Sequence, residues 1–302
     1  MSHSPRVRIA RVGSPTFLVL VCLVGLLVNQ PAAAQDVQQL FIRAIDATGT
    51  PVSDLTAEEI IIQQGGMACN IVMLQAETEG MKIALLVDNN APTRTLNPFR
   101  DGLLAFVETL PEGHTVGVFT LAGQTRRRVD FTTDYDELRE FANDVFMENN
   151  SSTVMLNGLT ETWDRYDEDD AWPVFVMLLH DGPDVSSGNA ENMVQRLQAE
   201  LRQRGATVHA VVFATGRMDN LTQLSRNIVA STGGIHSRID AFTALPDTMT
   251  ELANGMAAHY ETVGNAYRVG FTCDSEDESD NTSIGVSRAG VNFSAFGHRG
   301  VQ

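Results

Sequence analysis

Two aspartates stand where separate apolar runs end. Asp88-Asn89-Asn90 follows residues 83–87, and His180-Asp181-Gly182 follows residues 174–179. Carboxylate oxygens placed together in this way suit a hard divalent cation, which prefers oxygen ligands. The hydroxyls of Ser151-Ser152-Thr153, just before an expected helix, could add further oxygens. The alternative interpretation is that the two aspartates only cap their loops.

The elements that must position these residues alternate along the chain. Buried strands are predicted at residues 83–87, 116–121, 174–179 and 208–213. These runs lack clean alternation, which is typical of parallel strands covered on both faces. Helices are predicted from apolar residues at helical spacing, namely Leu138, Phe141 and Val145; Met193, Leu197 and Leu201; Leu221, Leu224 and Ile228; and Leu245, Met249, Leu252 and Met256. This alternation predicts a doubly wound, mostly parallel α/β sheet, and ligands of such sheets collect beyond the carboxyl ends of the strands.

The two flanks of this region have a different pattern. Residues 35–79 and residues 264–302 contain short β-type runs separated by turn residues. Each segment has too few strands to be stable alone, because an isolated hairpin is only marginally stable. We therefore expect the two segments to pair into one small β domain beside the α/β domain at residues 80–263.

The first 34 residues resemble a targeting segment. Arg6, Arg8 and Arg11 precede a short apolar stretch, and Ala32-Ala33-Ala34 provides a small-residue cleavage site. This order predicts a cleaved signal peptide at residues 1–34 and a secreted or periplasmic protein. An uncleaved membrane anchor is the alternative, although a membrane span needs about 20 apolar residues.

Cleavage would leave two cysteines, Cys69 and Cys273. An even pair in an oxidising compartment permits one disulfide, which would tie the two flanks together. Two unpaired buried thiols are the alternative.

Charge and motif content exclude several classes of function. The chain has 38 acidic and 21 basic residues, a net charge of −17, which argues against nucleic-acid binding because phosphate affinity comes from Lys and Arg. The sequence has no G-x-S-x-G, H-E-x-x-H, Walker or C-x-x-C motif. His180 and Asp181 are adjacent where a predicted strand ends, so the alternation of that strand should point their side chains to opposite faces rather than let them cooperate.

The order of these features resembles the von Willebrand factor type A (VWFA) family. The resemblance rests on the strand ending in Asp88, on Thr153 before a helix, and on the sequence from Leu178 to Gly182, and it covers about residues 80–263. Patterns at residues 46–58 and 267–300 extend it to secreted bacterial proteins with a VWFA-related domain.

The resemblance implies a Mg²⁺ at a metal-ion-dependent adhesion site, completed by a carboxylate of the partner. Asp88, Thr153 and Asp181 match the family's ligands, and Asn90 stands at a serine position where its amide oxygen could serve. Pro92 replaces the second serine, and His180 replaces a small hydroxyl residue. Because Mg²⁺ demands near-ideal octahedral geometry, these changes predict a degenerate site that binds Mg²⁺ weakly or not at all.

The residues and the resemblance together predict a secreted, non-enzymatic module that binds an unknown protein ligand. The protein would contact a membrane only if the signal segment stays uncleaved. Two alternatives remain open. One is a secreted metal-dependent hydrolase with Asp88 and Asp181 as ligands, and the other is a metal-free envelope scaffold.

Overall fold

The structure is a computed structural model that describes residues 37–76, 80–148, 151–166, 172–214, 220–273 and 282–297. The predicted signal peptide at 1–34 and the last residues of the C-terminal pattern, 298–300, lie outside this part of the chain. Within the described ranges, no helix is long and apolar enough to cross a membrane.

Strands and helices alternate through the centre of the chain, and the flanks contain strands and one short 3-10 helix, Ala57–Glu59, within the described residues. The strands are β1 Gln38–Ile45, β2 Ile60–Gln64, β3 Met67–Ala68, β4 Asn70–Ala76, β5 Lys82–Val87, β6 Thr115–Thr120, β7 Arg126–Thr132, β8 Pro173–His180, β9 Thr207–Phe213, β10 His236–Ile239, β11 Tyr267–Thr272, β12 Thr282–Val286 and β13 Asn292–Phe296. The α-helices are α1 Leu96–Thr109, α2 Tyr135–Asp144, α3 Met155–Trp163, α4 Ala190–Gln203, α5 Asn220–Thr232 and α6 Leu245–Val263.

The central sheet confirms the predicted doubly wound fold. Its strand order among the described residues is β10-β9-β8-β5-β6-β7, parallel throughout except for the antiparallel edge strand β7. Side chains of β5 alternate between two cores: Ile83 and Leu85 face α1, α2 and α6, while Ala84 and Leu86 face α3, α4 and α5. The four predicted strands are β5, β6, β8 and β9, and they are buried on both faces as their apolar composition requires.

The flanks form two further antiparallel sheets, which combine strands from both ends of the chain. One has the order β13-β1-β11-β4 and the other β12-β2-β3 within the described residues. Leu40 lies opposite Val269, and Ile62 lies opposite Ile284, so each sheet joins the two segments. These strands share an apolar core that includes Ile42.

A disulfide and an ion pair also link the flanks. Cys69 immediately precedes β4 and Cys273 immediately follows β11, and because Asn70 pairs with Thr272 the two cysteines meet, with Cα atoms 4.4 Å apart in a disulfide. The Arg288 guanidinium donates two hydrogen bonds to the Glu59 carboxylate, at 2.7 and 2.6 Å. These bonds hold the pKa of Glu59 well below its ordinary value, at about 2.

Candidate functional site

The predicted site lies at the carboxyl-end rim, which we define as the loops that follow β5, β6 and β8 together with the turn before α3. Strand pairing brings these loops together, because β5 lies between β6 and β8 with Val87 opposite both Thr120 and Leu178. Thr153 reaches the same place through backbone bridges to Ala122 and Asp184.

Asp88 is the buried centre of the rim. Its side chain is fully buried, and one carboxylate oxygen accepts a hydrogen bond from the Asn90 backbone at 3.1 Å. The other oxygen accepts from the Thr153 hydroxyl at 2.9 Å and from the His180 backbone at 3.2 Å. Three donors, from the loop of Asp88 itself, from the turn before α3 and from the end of β8, therefore compensate a carboxylate whose burial would otherwise be costly.

Asp181 connects the end of β8 to α5. Its carboxylate accepts hydrogen bonds from the backbone of Gly182 at 3.1 Å and of Thr222 at 3.2 Å. Thr222 lies in the first turn of α5, where backbone N–H groups have no partner within the helix and where a negative charge is stabilised by the helix dipole. Asp181 therefore both faces the rim and caps a helix. The two roles that the sequence left open for it, a cleft ligand and a cap, are compatible in this geometry.

A polar cleft of about 180 Å³ opens above Asp88. Its lining residues are Asn90, Ser151, Ser152, Thr153, His180, Asp181, Gly182, Pro183 and Leu221. The structure therefore brings Asn90, Thr153 and Asp181 to one cleft with Asp88 directly beneath Thr153.

Pro92 does not contribute to the cleft lining. Its carbonyl accepts hydrogen bonds from the backbone and the hydroxyl of Thr95, and so it starts the short 3-10 helix that leads into α1. The position where the family has a second serine thus builds a turn and supplies no side-chain oxygen.

His180 turns away from Asp181. Its ring packs among the rings of Phe99, Phe213 and Phe242, with centroids 5.2 to 6.2 Å away. The Nδ1 atom lies 3.7 Å from an Asp88 oxygen, and neither ring nitrogen has a hydrogen-bond partner among the described residues. The expected separation of His180 from Asp181 agrees with this geometry, whereas the approach of His180 to Asp88 was not expected from sequence.

These residues do not fit a Mg²⁺ held mainly by side chains. Both oxygens of Asp88 are already engaged, and Pro92 lacks a side-chain oxygen. Across the described part of the chain, no group of three or more His, Cys, Asp or Glu side chains is arranged to hold a metal ion.

The loop after Asp181 contains functional residues that the sequence did not reveal. Asp184 accepts hydrogen bonds from the Met155 backbone at 2.8 Å and from the Ser186 hydroxyl at 2.9 Å. The Ser186 oxygen in turn accepts from the Asn157 backbone at 3.0 Å. Burial raises the pKa of Asp184 above its ordinary value, against the opposing effect of these hydrogen bonds.

Asp184 and Ser186 therefore cap α3 from a loop 29 residues away in sequence. The residue at the helix start, Val154, has no capping side chain. No local pattern could have identified this cap, because the donor and acceptor segments meet only in the folded chain.

Two large apolar side chains are exposed beside the cleft. Phe146 is 47% exposed, and its carbonyl accepts a hydrogen bond from the Asn89 side chain at 3.1 Å. Val185 is also 47% exposed, and its backbone donates to the Thr153 carbonyl at 3.0 Å. Both are thus attached directly to the loops that form the site.

Comparison with solved structures identifies the fold. No protein-family model matches the chain, and no curated protein matches it. The von Willebrand factor type A structure from Catenulispora acidiphila is similar, with a TM-score of 0.50, 11% identity, and coverage of 86% of this chain and 72% of the other. The human COPII-coat protein Sec24c is similar at a TM-score of 0.50 and 11% identity, over 70% of this chain and 41% of the other. With its doubly wound sheet and its rim of converging loops, the chain has the von Willebrand factor type A fold.

Proposed function

We propose that the protein is a secreted or periplasmic, non-enzymatic module that binds another protein through the carboxyl-end rim. The observation that carries this proposal is the combination of a polar cleft with exposed apolar side chains, Phe146 and Val185, on the loops around it. Aromatic side chains such as Phe146 are enriched in protein-binding surfaces.

Secretion is supported by the N-terminal sequence pattern and by the Cys69–Cys273 disulfide, since disulfides persist in oxidising compartments. The hydrolase alternative is less well supported. It would need Asp88 as an accessible metal ligand, yet that carboxylate is fully buried and hydrogen bonded. The metal-free scaffold differs from our proposal only in leaving the rim without a partner.

A matched pair of substitutions tests the role of the rim. Val185→Asp places a charge on the rim, and Ile61→Asp places one at a similarly exposed position, 46% exposed, on β2 of the flanking sheet. We expect the wild-type protein and Ile61→Asp to capture the same protein from the native extracellular fraction, and Val185→Asp to lose it. Equal capture by both variants would show that the rim is not the binding surface.

The proposed metal site is degenerate, with Asp88, Asn90, Thr153 and Asp181 as the remaining ligands. Millimolar Mg²⁺ should therefore leave the melting temperature of the wild-type protein nearly unchanged. In the double variant Asn90→Ser, Pro92→Ser, the same Mg²⁺ concentration should raise the melting temperature, because a ligand that binds only the folded state stabilises it. A strong rise for the wild type that Asp181→Ala abolishes would contradict the degenerate site.

A further inference from the structure

We propose that Arg128 and Phe146 form a recognition patch beside the rim that binds a partner segment in which a carboxylate lies next to an apolar side chain. This inference rests on the proposed function and specifies the chemistry of the partner. The patch belongs to β7 and to the segment that follows α2, and it lies outside the cleft lined by Thr153 and Asp181.

The strand geometry sets Arg128 apart from its neighbours. In the pairing of β7 with β6, Val129 lies opposite Val118 and Arg127 lies opposite Phe119, so Arg128 is the extra residue of an irregular register. Such bulges redirect side chains at sheet edges. The position of Arg128 is therefore fixed by the backbone and differs from that of an ordinary edge residue.

The arginines of this run differ in their partners. Arg126 pairs with Glu148 at 2.8 Å, and Arg127 pairs with Asp130 at 2.6 Å. The Arg128 guanidinium instead lies over the Phe146 ring, 5.5 Å from its centroid, and no ion pair with a carboxylate of the described residues involves it. A guanidinium held over a ring by a cation–π contact can still use its N–H donors to bind a carboxylate.

Phe146 is exposed although its neighbours are buried. Val145 and Met147 are 3% and 9% exposed, whereas Phe146 is 47% exposed. The segment is tied to the site loop because the Glu148 backbone donates to the Asn89 carbonyl at 2.9 Å and the Asn89 side chain donates to the Phe146 carbonyl. The Phe146 ring therefore projects from a segment that is fixed to the loop after β5.

Charge complementarity selects an acidic occupant for the patch. Arg126-Arg127-Arg128 is the only run of three basic residues in a sequence with a net charge of −17. At physiological salt, charges interact mainly within about 8 Å, so the local cation decides what binds here. An alternative role for the arginines is to prevent another strand from pairing with the edge strand β7. That role would not explain the exposed Phe146, and the bulge in β7 already disfavours such pairing.

The test uses the full chain and two blocked tripeptides, Glu-Leu-Glu and Gln-Leu-Gln. Binding is followed by NMR chemical-shift changes, with backbone signals of residues 126–128 and 145–148 as the readout. We expect Glu-Leu-Glu to bind at least threefold more tightly, roughly, than Gln-Leu-Gln. Its affinity should fall as the salt concentration is raised, because salt screens the interaction between the charges. Phe146→Ser and Arg128→Glu should each reduce the affinity, and Arg128→Lys should reduce it less than Arg128→Glu because it keeps the charge without the planar donors.

Arg196→Glu is the matched control, since Arg196 is an exposed arginine in α4, beyond the opposite half of the sheet. The same loss of affinity in Arg196→Glu, equal binding of the two peptides, or shifts outside the named residues would overturn the proposal. Such a result would leave the proposed function of the rim intact, because the Val185 and Ile61 variants test that function separately.

Discussion

Several carboxylates and imidazoles in this protein accept hydrogen bonds from groups in distant parts of the chain. Asp88 accepts hydrogen bonds from Thr153 and His180 as well as from the nearby Asn90, and Asp181 and Asp184 each cap a helix that starts elsewhere in the sequence. Sequence could predict that aspartates follow the strands and that Thr153 lies near them. It could not predict the donors, because hydrogen bonds between loops depend on tertiary position.

Asp184→Ala should lower the free energy of unfolding by about 1–2 kcal/mol, since it removes the cap of α3. Asp134→Ala is the control, because Asp134 caps α2 through the Asp136 backbone in the ordinary local way. Both variants should lose stability in urea denaturation, but only Asp184→Ala should speed hydrogen exchange at residues 153–157. Equal exchange in the two variants would show that Asp184 does not hold the rim.

The buried histidine His209 predicts a loss of stability in mild acid. Burial, with a smaller contribution from His259, lowers the pKa of His209 to about 3, and its Nδ1 accepts a hydrogen bond from the Ile235 backbone at 3.1 Å. The unfolded chain binds a proton at this residue below about pH 6.5, whereas the folded protein does not. The stabilisation is therefore complete above that pH and is lost as pH falls towards 3.

Urea denaturation from about pH 7 to pH 5 measures this effect, with a slope from His209 of at most about 1.4 kcal/mol per pH unit. His114 adds in the same direction, because burial also lowers its pKa and its Nδ1 accepts from the Met81 backbone. Glu59 should contribute little in this range, since its stabilisation is lost only below its ordinary pKa of 4.5. His209→Gln should show a shallower slope, and an unchanged slope would refute the assignment.

At the scale of elements, the apolar runs predicted the central strands and most helices, and the exceptions have physical causes. Helix α1 was missed because Pro98 and Gly102 interrupt its pattern, yet the proline lies in the first turn, where its missing N–H costs little. Strand β7 is not among the predicted apolar runs because it is a charged edge strand that begins with Arg126-Arg127-Arg128. Strand β4 was missed because it is only half-buried.

Gly102 allows α1 and α6 to pack closely. A Cβ atom at Gly102 would lie 2.6 Å from Cγ of the buried Leu245, whereas one at Gly255 in α6 would lie 3.2 Å from the end of the Ile235 side chain. Gly102→Ala should therefore lower the free energy of unfolding by about 1–3 kcal/mol through overpacking. Gly255→Ala should stay within about 1 kcal/mol of wild type because improved helix propensity offsets a mild contact. Chemical denaturation compares them, and a fully stable Gly102→Ala protein would contradict this packing.

At the scale of the whole molecule, we propose that residues 35–79 and 264–302 form one folding unit. The sequence predicted the pairing because neither segment could be stable alone. The pairing of β1 with β11 and of β2 with β12, which joins the two segments, is consistent with this prediction. The strand order of these sheets could not be predicted, since it depends on the shared core around Ile42.

Replacing both Cys69 and Cys273 by alanine should cost about 2–5 kcal/mol, because the unfolded chain would no longer be cross-linked. Hydrogen exchange should increase mainly in β1, β4 and β11, and the buried strands β5 and β8 should keep their protection. If exchange rose equally in all strands, the flanks would not be a separate unit.

The same disulfide determines how the protein responds to mechanical force. Cys69 and Cys273, 204 positions apart, enclose the central sheet and its helices in one covalent loop. Tension applied at residues 37 and 297 passes through the sulfur–sulfur bond, so the rim is not stretched while the bond is intact. Reduction would free up to roughly 70 nm of extensible chain, which single-molecule pulling can measure. A partner held at the rim would thus remain bound to an undistorted surface while the ends of the protein are pulled.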